Sequence, residues 1–220
     1  MSKGKVIVDL FFDVCSPYAW FAFELLTRHR NVWRNTELKL KPFLVHEVYK
    51  KSNNTQIPCA DKMKYIANDC KMLSAYYNIP MQMTSNYSLL PNTTKAMTFL
   101  TAVEETNDYE ALEKSTRELF YRIYGNDPPL DVTSDSAFIE ICNKCGINSL
   151  LIESIEKEST KDRLNKYTND AVCYGAFGTP TMVAHLSDGP KLLFGSDRVE
   201  LLSHLLNETY CGPLLKFNSF

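Results

Sequence analysis

Val6-Ile-Val-Asp-Leu-Phe-Phe-Asp-Val-Cys-Ser-Pro-Tyr-Ala-Trp20 is the stretch that decides the fold. Residues 5–12 are dense in Val, Ile and Phe and predict a buried strand. Ser16-Pro17 follows at once, a helix-starting pair with a hydroxyl at the cap and a ring already set for the first turn. Apolar residues at 20, 21, 23, 25 and 26 continue as a helix over 17–30. Residues 38–45 alternate Leu and Lys and predict a second strand, ended by Pro42 or just beyond. Strand, helix and strand at this spacing form a βαβ unit with parallel strands and a right-handed crossover.

Further along, the periodicity changes. Residues 50–57 are polar and predict a loop. Helical spacing then dominates, with helices expected over 60–77, 94–107, 109–124, 134–145, 149–157 and 159–174. Asn78-Ile-Pro80, Pro91-Asn92, Asn107-Asp108, Gly125 to Pro129 and Gly146 punctuate them, and Thr133 or Ser134 caps one start. Strand character returns at 181–185 and 191–194 around the turn Ser187-Asp-Gly-Pro190. A last helix is expected over 196–207, with an irregular tail from Tyr210. The order βαβ, helical block, ββα predicts an α/β chain. Residues 1–55 and 176–220 form one unit, and an all-helical domain at 56–175 is inserted between them.

Composition narrows the function classes. A net charge of −2 gives no footprint for nucleic acid or an acidic membrane surface. No apolar run approaches the roughly 20 residues of a membrane span. The opening Met-Ser-Lys-Gly-Lys has no signal-peptide core, so the first strand is expected to belong to the mature fold. Seven cysteines without a secretory signal are expected to be reduced thiols. Cys142-Asn-Lys-Cys145 matches C-x-x-C but ends a helix at Gly146 with no strand before it, the wrong setting for dithiol chemistry. No second pair supplies the rest of a zinc site, and the four histidines have no metal spacing, so no metal is expected.

Three motifs together carry a resemblance. They are Ser16-Pro17-Tyr18 with Trp20, Gly175-Ala-Phe-Gly-Thr-Pro-Thr-Met-Val-Ala-His185, and Leu193-Phe-Gly-Ser-Asp-Arg198. Ala67-Asn-Asp69 and Phe99-Leu-Thr-Ala-Val103 support them. The chain resembles a kappa-class glutathione transferase along its whole length. Glutathione-dependent 2-hydroxychromene-2-carboxylate isomerases share the architecture, and DsbA-like dithiol oxidoreductases are more distant. The resemblance implies a thioredoxin-like fold. Ser16 and Ala19 then stand where a dithiol enzyme carries its two cysteines, which disfavours dithiol exchange.

The resemblance implies a site as well. Ser16 would donate to a glutathione thiolate at a helix N-terminus that itself favours an anion. Serine needs no base for this role. Pro17 and Tyr18 complete the motif. Thr179-Pro180 would be the cis-proline turn, and the backbone of Thr179 would pair with the cysteinyl part of the tripeptide like an added strand. Only backbone is used there, so the side chain at 179 is expected to be free to vary. Ser196 and Asp197 would receive the two charges of the γ-glutamyl head. Lys62 and an asparagine would bind the glycyl end; Asn54 fits better than its neighbour Asn53. Cys15 is expected to pack in the core rather than react.

On this reading, glutathione is the co-substrate and a small hydrophobic electrophile its partner, with peroxide reduction a further expected activity. The alternatives are a glutathione-dependent cis–trans isomerase and a non-catalytic glutathione-binding or chaperone-like module. The family also implies a homodimer in mitochondria or peroxisomes.

Overall fold

The computed structural model describes residues 4–54, 59–84 and 90–213. Strand β1 (Val6–Phe12) leads into helix α1 (Pro17–Arg30), and strand β2 (Thr36–Pro42) into helix α2 (Val45–Ser52). Helices α3 (Ala60–Tyr77), α4 (Thr94–Glu105), α5 (Tyr109–Tyr124) and α6 (Asp135–Cys145) follow. A 3-10 segment (Ser149–Glu156) then leads to α7 (Glu158–Cys173). The hairpin β3 (Thr181–Leu186) and β4 (Gly189–Phe194), a 3-10 turn (Ser196–Arg198) and α8 (Val199–Leu205) close the order.

The sheet runs β2-β1-β3-β4. β1 pairs parallel to β2, with Leu10 opposite Leu40, and antiparallel to β3, with Leu10 opposite Met182. This is the expected βαβ unit joined to a ββα unit. Alternation along β1 puts Val8, Leu10 and Phe12 on one face, where they pack against Trp20, Phe23 and Leu40. Phe11 points to the other face and joins Phe43, Val45, Val48, Ala171 and Val183 in a second core. The main core continues through Phe99, Phe120 and Phe138, so sheet and helices share one apolar interior.

Several boundaries differ from expectation. β2 starts at Thr36 and ends at Pro42, tolerated there because β2 is an edge strand. The chain beyond it is not strand and then loop, but the helix α2, which buries Val45 and Val48 and ends at Asn53 in the left-handed region, φ 54°. The part of the expected loop at residues 55–57 lies outside the described residues. Ser134 rather than Thr133 caps α6, accepting from the Ala137 N–H, and Gly146 stops it at φ 73°. The segment expected as a helix over 149–157 winds as 3-10. The last helix is divided into a 3-10 turn and α8. The hairpin turn narrows to Ser187 and Asp188, so β4 begins at Gly189 rather than at 191.

Candidate functional site

The site gathers at the N-terminus of α1. Ser16 has extended backbone (φ −109°, ψ 123°), and its Oγ accepts the Ala19 N–H at 3.4 Å. Pro17 occupies the first turn. The Ser16 hydroxyl also reaches the carbonyl of Thr179 at 3.5 Å. Thr179-Pro180 is cis. The turn after the cis bond is tied to the next motif, because the Gly195 N–H donates to the Pro180 carbonyl at 3.1 Å. The turn Ser196–Arg198 packs against α1, with Ser196 buried and Asp197 exposed. Three motifs distant in sequence are therefore joined by direct contact around one half-buried hydroxyl.

Gly195 is required by its surroundings. Its φ of 98° lies in a region that L residues avoid, and a Cβ there would stand 2.5 Å from the Asp197 carboxylate. The carboxylate is thus folded back over the turn, with Arg198 3.5 Å away on its other side.

The remaining predicted residues are placed as follows. The Tyr18 hydroxyl donates to Asp69 on α3 at 2.7 Å. Burial first, and this bond second, hold the phenol well above its ordinary pKa. Asn54 donates to the Phe177 carbonyl at 2.7 Å, which ties the end of α2 to the segment before the cis-proline. Lys62 lies exposed in the first turn of α3 and is not held against the other site residues by any contact among the described residues.

Thr179 corrects an expectation. Its side chain is not free to vary, because Oγ1 accepts the Asp13 N–H at 3.2 Å and is buried in doing so. Asp13 itself was not foreseen as a site residue. Its carboxyl is 1% exposed and accepts from the Cys15 N–H (3.1 Å), the Thr93 hydroxyl (2.7 Å) and the Val45 N–H (3.1 Å). Burial raises its pKa, and these three donors oppose the rise. The signal available was an Asp directly after a buried apolar strand, costly unless fully hydrogen-bonded, although Asp9 in the same run carries the same signal.

Cys15 is half-buried against the second core, as expected. Burial, with the neighbouring Asp13 carboxyl, pushes its thiol well above the ordinary range, which disfavours the thiolate. All seven cysteines are free, and burial likewise raises Cys142 and Cys145. Cys142 lies in the main core and Cys145 packs half-buried against it.

Comparison with known proteins follows this geometry. Residues 7–207 match the DsbA-like thioredoxin domain, which defines the class: a thioredoxin-fold protein of the DsbA type. The chain is 39% identical over 215 residues to glutathione S-transferase kappa 1 from Homo sapiens, covering 94% of this chain and 93% of that protein. It is 38% identical over 224 residues to glutathione S-transferase kappa 1 from Rattus norvegicus, covering 97% and 96%. The chain belongs to the kappa-class glutathione S-transferases, a family of enzymes. A solved 2-hydroxychromene-2-carboxylate isomerase shares the fold, with a TM-score of 0.76 at 20% identity over 91% of this chain and 94% of that one.

Proposed function

We propose that this enzyme binds glutathione with its sulfur at the N-terminus of α1 and transfers it to small hydrophobic electrophiles. The observation that carries the proposal is the meeting of the Ser16 hydroxyl with the cis Thr179-Pro180 turn at a helix N-terminus. A free thiol titrates near pH ~8.5. A hydrogen bond to the thiolate contributes about 1.5–3 kcal/mol. At about 1.4 kcal/mol per pKa unit, that lowers the thiol by about one to two units. Much of the bound sulfur is then thiolate at neutral pH. The Ser16 contact to the Thr179 carbonyl is at the limit of a hydrogen bond, so turning the hydroxyl to sulfur gives up little.

The rest of the tripeptide is assigned from the family resemblance. The Thr179 backbone pairs with the cysteinyl residue, Ser196 and Asp197 hold the γ-glutamyl head, and Asn54 and Lys62 serve the glycyl end. In aromatic substitution a carbon–sulfur bond forms and a carbon–halogen bond breaks. Halide leaves with the electron pair, and the thiol proton passes to water. Peroxide reduction through the same thiolate, a homodimeric state and a mitochondrial or peroxisomal location are further parts of the proposal, supported by the family alone.

The test is the ultraviolet absorbance of bound glutathione titrated against pH, together with turnover of a chloronitrobenzene. A depressed thiol pKa with conjugate formation is expected. Binding without a pKa shift makes the chain a glutathione-holding protein. Rearrangement of a chromene carboxylate without glutathione loss makes it an isomerase.

A further inference from the structure

The residues of the proposed sulfur site are themselves held by one buried residue, Asp13. Asp13 ends the chain segment that leads to Ser16, and five hydrogen bonds radiate from it. Its carboxyl receives the Cys15 N–H, the Val45 N–H and the Thr93 hydroxyl, which fix the loop before Ser16, the start of α2 and the start of α4. Its carbonyl accepts the Ser16 N–H at 3.2 Å. Its own N–H donates to the Thr179 hydroxyl at 3.2 Å. The Tyr124 hydroxyl closes the loop from the other side by donating to the Cys15 carbonyl.

The chemistry of the carboxylate suits this work. The three groups bonded to it are donors, the Cys15 thiol beside it is a weak donor as well, and only an acceptor-only side chain satisfies them together; an amide would turn hydrogens toward hydrogens. The two halves of the site, Ser16 and the cis-proline turn, come from opposite ends of the chain and meet through a contact of 3.5 Å that is too long to fix their separation alone. The Asp13 to Thr179 bond runs beside it, is shorter and is buried.

We propose that Asp13 and the Thr179 hydroxyl form a buried staple that sets the distance between Ser16 Oγ and the Thr179 backbone, and act as positioning residues for the glutathione thiolate. The inference rests on the proposed glutathione site. A thiolate held by one hydroxyl and one helix end is sensitive to small displacements, since misplacement of about 1 Å can change rates by up to about 100-fold.

Thr179→Val keeps the shape and the backbone carbonyl but removes the acceptor, and Thr93→Val removes a donor to Asp13 from the far side. Each is compared with wild type for the pKa of bound glutathione, for affinity toward S-methylglutathione, which has no thiol, and for kcat and KM. Thr179→Ser keeps the acceptor. The expected result for Thr179→Val is a bound-thiol pKa raised by about one unit and kcat lowered about tenfold. S-methylglutathione affinity changes little, Thr93→Val shifts in the same direction, and Thr179→Ser lies closer to wild type. The staple is overturned if wild type depresses the thiol pKa while neither valine variant moves it, or if the variants lose S-methylglutathione affinity and thiol activation in equal measure. Absence of a depressed pKa in wild type overturns the glutathione site itself, and the staple with it. Should Thr179→Val not fold, Thr93→Val with Thr179→Ser decides by the same readouts.

Discussion

Ser16 has two jobs, and they separate by experiment. It caps α1, and by proposal it holds the thiolate. Replacing a capping serine with alanine costs about 0.5–2 kcal/mol, whereas glycine costs only a few tenths. The contact from Ala19 N to Ser16 Oγ is long at 3.4 Å, which puts the alanine penalty toward the lower end. The hydrogen bond to the thiolate is worth about 1.5–3 kcal/mol, equal to a loss of about 10- to 150-fold in kcat/KM.

Ser16→Ala and Ser16→Gly therefore order differently by the two measures. In urea unfolding, alanine falls below glycine, and both remain folded. In conjugation kinetics, both fall by similar large factors, because both lack the hydroxyl. The pKa of bound glutathione rises by about one to two units in both. The reasoning is refuted if activity follows stability, with glycine near wild type and alanine impaired, since the hydroxyl would then act only as a cap. It is refuted equally if both variants keep more than about half of wild-type kcat/KM while binding glutathione normally.

Three further outcomes are expected. Glu24 is 1% exposed and held by Arg117 at 2.9 and 3.1 Å and by Trp20 Nε1 at 3.1 Å. Arg117→Met leaves it buried without its cation, at a cost of about 3–5 kcal/mol and a fall in Tm of at least about 6 °C; a calorimetric Tm within 2 °C of wild type would contradict it. Gly195→Ala forces an L residue to φ 98° and drives its Cβ into the Asp197 carboxylate. It is expected to cost about 1–3 kcal/mol and weaken glutathione binding, measured by calorimetry, with unchanged affinity counting against the placement of Asp197. His29 is buried neutral, with Nδ1 on the Leu25 carbonyl at 2.8 Å, Nε2 accepting the Cys211 N–H at 3.3 Å, and its ring stacked on Tyr210. Burial lowers its folded pKa, so the unfolded chain binds the extra proton first; stability is complete above about pH 6.5 and is lost as pH falls below it. Urea midpoints between about pH 7 and 5 are expected to drop more steeply in wild type than in His29→Gln.

Much of this molecule is legible in its order of residues. β1, the Ser16 cap, Pro17 and the periodic face of α1 are local features, and so are the helices at 60–77 and 109–124, which stand where the spacing put them. The cis bond at Thr179-Pro180 stands where the resemblance implied it. α2 was not. Its first residue, Val45, has no local side-chain cap, because its N–H is met by the Asp13 carboxyl from the loop after β1. Thr93 precedes α4 without capping it, since its hydroxyl is turned to the same carboxyl. The start of α2 therefore lacks the local signature that a sequence reader looks for, whereas a threonine stands before α4, which begins at 94 as its spacing predicts.

The same carboxyl explains why the residues behind the candidate site are not legible one by one in the sequence. Ser16, Pro180, Ser196 and Asp197 stand in short motifs whose turn and cap chemistry is written in neighbouring residues. The residues that hold those motifs together satisfy one another across the fold. An acid just past an apolar strand, a threonine before a cis-proline and a threonine before a helix look unrelated until folding brings them to one buried residue. Its burial makes that carboxyl expensive to ionise, and its three donors make it useful when ionised. A group retained at that cost directly behind the candidate sulfur site is where mutation is expected to separate positioning from binding. Thr179→Val, which alters the fold's internal bond and leaves the ligand-facing backbone in place, is the variant that isolates the difference.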